Sequence, residues 1–506
     1  MKRYLVAILA IIIFLPLHVS ANNFPHIRTH GYDYWGLTKD LDQAKWLAKR
    51  HDWIIGAGIN ETVYDAMKSA NQNIRIMPYS TYTTYEKNVQ DWIKSWCGKN
   101  GYNFEDTLYH YYYDTEVNLI STNNPDKIVV KGFGGGTAKS IQEARVPSVW
   151  ASYAFGIDKA TGQITRLSVN PSSQIWRAGY NAYILNMMAI NVSAKKYANG
   201  VFLDSFSGPS SPDWNLHLEN TIEFRNLGIK GREAARARTR DDLVSALKEL
   251  QSFLTSKIGR TIVVGLNCAD IDYFYHWEKE LYANRFKDYA DPGITVCIEY
   301  MTRAGSNTAR IQRLKQAYDS MVGDGLFFFA RNETSILNVS EKVNQFLIVS
   351  HYLINNPNYN LMYHRGSANF YGGIPAGKLY ATHWHKNLEY DIGKPVQRSG
   401  IDYWGKANTD RFFVFGSVTT NLDSLKNYTI VGREYTNALV LAKFGGKGGV
   451  ANVGTNPTTH SLNGTYQLLQ PDNSLGPPIR EITLGASEGA ILIKEHQAVN
   501  PTRPPK

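Results

Sequence analysis

Between residues 27 and 364, short apolar runs of strand length alternate with stretches whose apolar residues recur every three or four positions. This alternation constrains the fold more than any other feature. A strand followed by an amphipathic helix, repeated along a chain, builds a parallel sheet with helices packed on it. The runs that read as strands are Ile27–Tyr32, Trp53–Ala57, Ile74–Tyr79, Gly200–Asp204, Thr261–Leu266, Ile294–Glu299, Gly325–Ala330 and Leu361–His364. Leu41-Ala44-Leu47-Ala48 gives a helical stripe after the first. Leu243-Leu247-Leu250-Leu254 precedes the fifth and Ile311-Leu314-Ala317-Met321 the seventh. Eight such strands with intervening helices fit a (β/α)8 TIM barrel over residues 22–372. The stretch from Tyr79 to Gly200 is too long for one crossover, which predicts a large insertion at about residues 80–165.

Past residue 372 the texture changes. Phe412–Val418, Thr429–Val431, Ala438–Leu441, Tyr466–Leu469 and Ala490–Ile493 read as strands between Gly, Asn and Pro turns, without a convincing helical period. This pattern predicts an antiparallel β-sandwich over residues 373–497, followed by a Pro-rich tail, 498–506.

Composition sets the class and compartment. With 43% hydrophobic, 12% aromatic and 19% charged residues, the 506-residue chain has the makings of a large core and not of a disordered segment. Its net charge of +10 is spread along the chain, a mild bias toward acidic partners. Lys2 and Arg3 precede an apolar run, Tyr4 to Leu17, and His18-Val19-Ser20-Ala21 places small residues where a signal peptidase reads. Residues 1–21 therefore read as a secretory signal, too short to span a bilayer, which needs about 20 apolar residues. A secreted or periplasmic protein without stable membrane insertion is expected. Three cysteines, Cys97, Cys268 and Cys297, allow at most one bridge and form no C-x-x-C pair.

Barrel enzymes carry their reactive groups where strands end. Two acids terminate apolar strands: Asp204 in Gly200-Val201-Phe202-Leu203-Asp204 and Glu299 in Ile294-Thr295-Val296-Cys297-Ile298-Glu299. An ionised group there is costly unless paired or wet at a cleft. Structural ion pairing or helix capping is the plain alternative. Two carboxylates on one rim are what glycoside hydrolysis needs, one to protonate the leaving oxygen and one to attack or to activate water. Asp33, Asp270, Asn267 and Glu333 lie near other strand ends and suit hydrogen bonds to sugar hydroxyls. Tyr34, Trp35, Tyr79 and Tyr300 offer flat amphipathic rings to sugar faces. Arg303 and Arg331 suit an anionic glycan, and would neutralise a uronate in a polysaccharide lyase using a tyrosine base. A glycan-binding barrel without catalysis is the third reading.

Other motifs are weaker. Gly132-Phe133-Gly134-Gly135-Gly136 lacks the third glycine of a dinucleotide loop, since Thr137 stands there. His383, His385 and His364 lack a matching acid spacing, so no metal and no cofactor are expected. Arg232, Arg236, Arg238 and Arg240 read as a solvated surface or a contact for an acidic polysaccharide. Nucleic acid is not expected as a partner, and no Gly-x-Ser-x-Gly elbow suggests a serine esterase.

Tyr197-Ala198-Asn199-Gly200-Val201-Phe202-Leu203-Asp204-Ser205 resembles the strand-four signature of the secreted proteins called hypothetical glycosyl hydrolase family fifteen. Arg433-Glu434-Tyr435-Thr436-Asn437-Ala438-Leu439-Val440-Leu441, Ala451-Asn452-Val453-Gly454 and Leu484-Gly485-Ala486-Ser487-Glu488-Gly489-Ala490-Ile491-Leu492 are similar to its C-terminal β-domain. The resemblance covers about two thirds of the chain and implies a barrel glycosidase of unspecified sugar. Ala438 stands where a glycine is expected. Ser205 stands where a second acid or amide is commoner, leaving open whether one carboxylate or two act at strand four. By analogy with other barrel glycosidases, Asp204 is expected as nucleophile and Glu299 as general acid/base.

Overall fold

The computed structural model describes residues 30–33, 41–56, 59–82, 84–85, 87–112, 117–121, 124–130, 145–147, 167–204, 218–267, 294–299, 307–324, 327–333, 340–356, 360–365, 386–418, 427–445 and 452–495. The first 29 residues, with the expected signal, and the tail lie outside them, as do Asp270, Tyr300 and Arg303. Among the described residues no helix is long and apolar enough to cross a membrane.

All eight runs read as parallel strands belong to one sheet, in chain order. They are β1 (His30–Asp33), β2 (Trp53–Gly56), β3 (Arg75–Thr81), β4 (Gly200–Asp204), β5 (Val263–Asn267), β6 (Ile294–Glu299), β7 (Phe327–Glu333) and β8 (Asn360–Arg365). Each neighbouring pair is parallel. The strands are staggered. Asp33, the last residue of β1, is level with Gly56 and Pro78; one residue below the Tyr79–Phe202 pair, the same level runs through Val201 and Val264 to Ile294, the first residue of β6. β1 and β8 lie in contact.

Helices fill the crossovers. α1 (Leu41–Arg50) and α2 (Glu61–Ala70) follow β1 and β2. The long connection after β3 holds α3 (Lys87–Asn100), a hairpin of Val117–Ser121 with Asn124–Val130, and α4 (Gln174–Met188) before β4. α5 (Arg232–Ile258), α6 (Asn307–Asp324) and α7 (Glu341–Ile354) precede β5, β7 and β8. Side-chain oxygens of Asn60, Ser173 and Ser340 cap α2, α4 and α7 by accepting amide hydrogens of the first turn. Gly259, at φ 77°, ends α5 in the left-handed conformation that only glycine adopts cheaply.

The pleat sorts β4. Val201 and Leu203 join Val264 and Leu266 in a core with Ile184 of α4 and the α5 stripe Leu243, Leu247, Leu250 and Leu254. Gly200, Phe202 and Asp204 therefore occupy the opposite face.

The C-terminal strands are β9 (Phe413–Ser417), β10 (Tyr428–Glu434), β11 (Ala438–Gly445), β12 (Thr458–Leu469), β13 (Leu475–Leu484) and β14 (Gly489–Lys494). They form one antiparallel sheet, ordered β9-β10-β11-β14-β12-β13. Where a sandwich is expected, the described residues hold this curled sheet and a separate antiparallel pair, Arg398–Ile401 with Ala407–Thr409. His460, near the start of β12, reaches Phe415 on β9, across the three intervening strands, with ring centroids 6.2 Å apart. The concave side is filled by Phe413, Ile430, Leu439, Leu441, Tyr466, Ile482, Leu484 and Leu492. The other side packs on α7, which also touches β7 and β8. Buried all round, α7 carries apolar residues on every face.

Candidate functional site

Parallel strands deliver their last residues to one edge of the sheet, and seven of the candidate residues stand there. Asp33 ends β1, Asp204 ends β4, Asn267 ends β5, Glu299 ends β6 and Glu333 ends β7, while Tyr79 and Arg331 stand two residues before the ends of β3 and β7. Tyr34, Trp35, Asp270, Tyr300 and Arg303 lie outside the described residues. So do His383 and His385.

β5 separates the strands of the two expected catalytic acids. Leu203 is level with Leu266 and Leu266 with Val296, so Asp204 stands at the level of Cys297 and Glu299 two residues further along. Strands lie about 4.8 Å apart, which puts the two backbones roughly 10 Å apart across the sheet. Glu299 is level with Arg331, and Arg331 with Tyr363. Glu333 is level with Arg365. Tyr363 and Arg365 were not singled out from sequence, where β7 reads as ending at Ala330 and β8 at His364, short of Glu333 and Arg365.

Side chains of β3 and β4 meet at this edge. The Tyr79 hydroxyl donates to Oδ2 of Asp204. Tyr79 stands opposite Phe202, and their rings stack at 6.1 Å with 23° between planes. The phenol thus runs along Phe202 to reach the residue two positions on, which shares its face. The facing position on β5 is Gly265, which brings no side chain against Phe202. Asp204 also closes the ladder beyond β3, its carbonyl accepting Tyr82 N–H at 3.0 Å. Tyr180 of α4 donates to the Thr81 carbonyl at 2.6 Å, tying α4 to the same corner. Asp204 is half-buried, as expected of an acid between core and cleft.

Beyond Asp204 the chain returns as a short helix, Ile222–Asn226, held by a buried cluster. His110, 1% exposed, faces Glu223 Oε1 through Nδ1 at 2.9 Å and Glu105 Oε2 through Nε2 at 3.2 Å. Its backbone N–H donates to Glu223 Oε2 at 3.0 Å. Burial lowers the basicity of the imidazole, but the hydrogen bonds to Glu105 and Glu223 outweigh it and raise the pKa. Sequence reasoning gave no sign of this triad, because its members are brought together only by the fold.

The arginine stretch on α5 is locally matched: Arg236 pairs with Glu233 at 2.8 Å, Arg238 with Asp242 at 2.9 Å and Arg240 with Asp241 at 2.7 Å. No group of three or more potential metal ligands occurs among the described residues. Cys97 is a buried free thiol.

Fold and site together define an α/β protein with an all-parallel eight-stranded sheet and a row of acids, amide and arginine at its carboxyl edge. No family model matches the chain, and no curated protein matches it. Among solved structures it is similar to the endo-beta1,6-glucanase BT3312, at 10% identity over 94% of this chain and 92% of that one, TM-score 0.36. A Family GH18 chitinase from Chromobacterium violaceum gives 8% identity over 94% and 89%, TM-score 0.27. A hypothetical maltooligosyl trehalose synthase of Sulfolobus tokodaii gives 8% over 65% and 44%, TM-score 0.25.

Proposed function

We propose that this protein is an exported glycoside hydrolase whose eight parallel strands close as a (β/α)8 barrel over residues 22–372, with a β-domain at 373–497. Contact between β1 and β8, and the stagger that brings Asp33 level with Ile294, support closure, since a barrel requires its strands to shear. The observation that carries the functional reading is the placement of Asp204 and Glu299 at the same edge, two strands apart and at an even offset of register. In a pleated sheet an even offset keeps two residues on one face. In a barrel, stagger returns the later strand's extra residues to the same height, so the pair shares one mouth.

The reaction proposed is displacement with retention. An oxygen of Asp204 attacks the anomeric carbon, the glycosidic C–O bond breaks, and Glu299 gives its proton to the departing oxygen. Glu299 then takes a proton from water, whose oxygen displaces Asp204 from the sugar and restores both residues. Tyr79 supports this division of labour, because a phenol donor on Oδ2 holds the carboxyl group of Asp204 in place for attack. Asp33, Asn267, Arg331 and Glu333 are assigned to sugar hydroxyls, and to carboxylates of an acidic glycan in the case of Arg331.

A reducing-sugar screen over neutral and acidic glycans tests the reading. The wild type releases reducing ends from at least one class, and Asp204→Asn and Glu299→Gln each lose roughly a hundredfold or more while remaining folded. Near-normal turnover in either variant removes that residue from the mechanism. An ultraviolet-absorbing unsaturated product replaces hydrolysis with elimination.

A further inference from the structure

Tyr79 reads from sequence as a ring for a sugar to stack on, but its place in the sheet gives it another task. One face of the phenol lies against Phe202, and its hydroxyl is directed along β4 to Asp204. Three features of the backbone fix this arrangement. Register sets Tyr79 opposite Phe202. Gly265 leaves the far side of Phe202 without a competing side chain. Gly200, two residues before Phe202 on the same face, lets β4 lie close to β5 and Met77, since a β-carbon there would stand 3.2 Å from Met77 Cε and 3.1 Å from the Val263 carbonyl carbon. β4 thus presents glycine, aromatic ring and acid in succession, and the tyrosine spans the last two.

We infer that Tyr79 is a positioning residue that holds the carboxyl group of Asp204 in one orientation. The inference deepens the glycosidase reading and rests on it for the word nucleophile, but not for the pairing itself. A tyrosine hydroxyl is a hydrogen-bond donor at neutral pH, and a carboxyl oxygen is its natural acceptor. The bond also removes rotational freedom from Asp204, so that the carboxylate need not be ordered at the moment of attack. Tyr79 does not itself touch the reacting atoms in this scheme. Its loss leaves the backbone in place and frees the acid to rotate.

The test uses Tyr79→Phe, which keeps the ring and its stack and deletes only the donor. Full-length wild type and variant are treated with a water-soluble carbodiimide and glycine ethyl ester at pH 6, and labelling is read at each acid by peptide mass spectrometry. Without its donor the Asp204 carboxyl group is free to turn to the reagent, so its labelling rises at least about threefold. The exposed Asp42, whose side chain is 95% accessible, is unchanged. On any glycan that the wild type cleaves, kcat falls about tenfold while KM changes little, the equivalent of one such hydrogen bond. Unchanged labelling of Asp204 overturns the inference, whatever the activity. Raised labelling in a protein that cleaves no glycan upholds the pairing and refutes the hydrolase reading, so the two failures are told apart.

Discussion

A β-carbon on Gly200 would overlap the carbonyl oxygen of Val263, its partner across β4 and β5. The obstacle is backbone within the central sheet and cannot swing aside. Gly200→Ala should therefore destabilise the protein by about 2–3 kcal/mol, the usual cost of forced overpacking. Gly98, near the end of α3, has nothing within 4 Å of the same position. Gly98→Ala should stabilise by up to about 1 kcal/mol through helix propensity and a less mobile unfolded chain. Urea denaturation of the two variants checks both signs.

Arg433 joins the curled sheet to α7. From β10 its Nη1 donates to the carbonyls of Asn355 at 2.8 Å and Leu353 at 3.2 Å, and its Nε donates to the Asp410 carbonyl at 2.8 Å. The carbonyls of Leu353 and Asn355 are among the acceptors that the end of a helix leaves open, and both residues are buried. Arg433→Met should cost about 3 kcal/mol, and Arg433→Lys should recover only part, because one ammonium cannot reproduce a planar fan of donors. Chemical denaturation of the two variants measures the difference.

His110 makes stability depend on pH. Its pKa is raised in the folded state above the ordinary 6.5, so the folded protein binds the proton more tightly than the unfolded chain. The resulting stabilisation is complete below the unfolded value and is lost as pH rises through the raised folded value. Glu105 is about half exposed, so solvent screens that link and Glu223, at 18% exposure, supplies most of the effect. Unfolding free energy should be higher at pH 6 than at pH 9, and His110→Gln should flatten that slope while lowering stability at pH 6 by about 1–3 kcal/mol. Equilibrium denaturation across pH is the measurement.

Much of the parallel sheet is legible because period and length agree in it. Apolar runs such as Ile294–Glu299 and Gly200–Asp204 are found with the boundaries that the sequence implies. β7 and β8 run past the expected ends, since Arg331-Asn332-Glu333 and Arg365 are polar residues continuing a ladder that backbone pairing, not hydrophobicity, defines. α7 shows no amphipathic stripe because both its sides are buried, and an apolar segment of that kind has no readable period. β13 contains Pro477 and Pro478, which argue against a strand, yet it lies at the sheet edge, where proline is tolerated. For the candidate site, strand ends were readable and partners were not. Nothing local to Tyr79 announces that its hydroxyl meets a carboxylate 125 residues on.

The most direct measurement is a crystal structure giving the separation of the Asp204 and Glu299 carboxyl groups, with a cleaved glycan's product soaked in. Retention requires the two to face one hollow at about 5–5.5 Å, with the sugar between them. Carboxyl groups turned to opposite faces of the sheet, or a sugar bound away from both, would contradict the account.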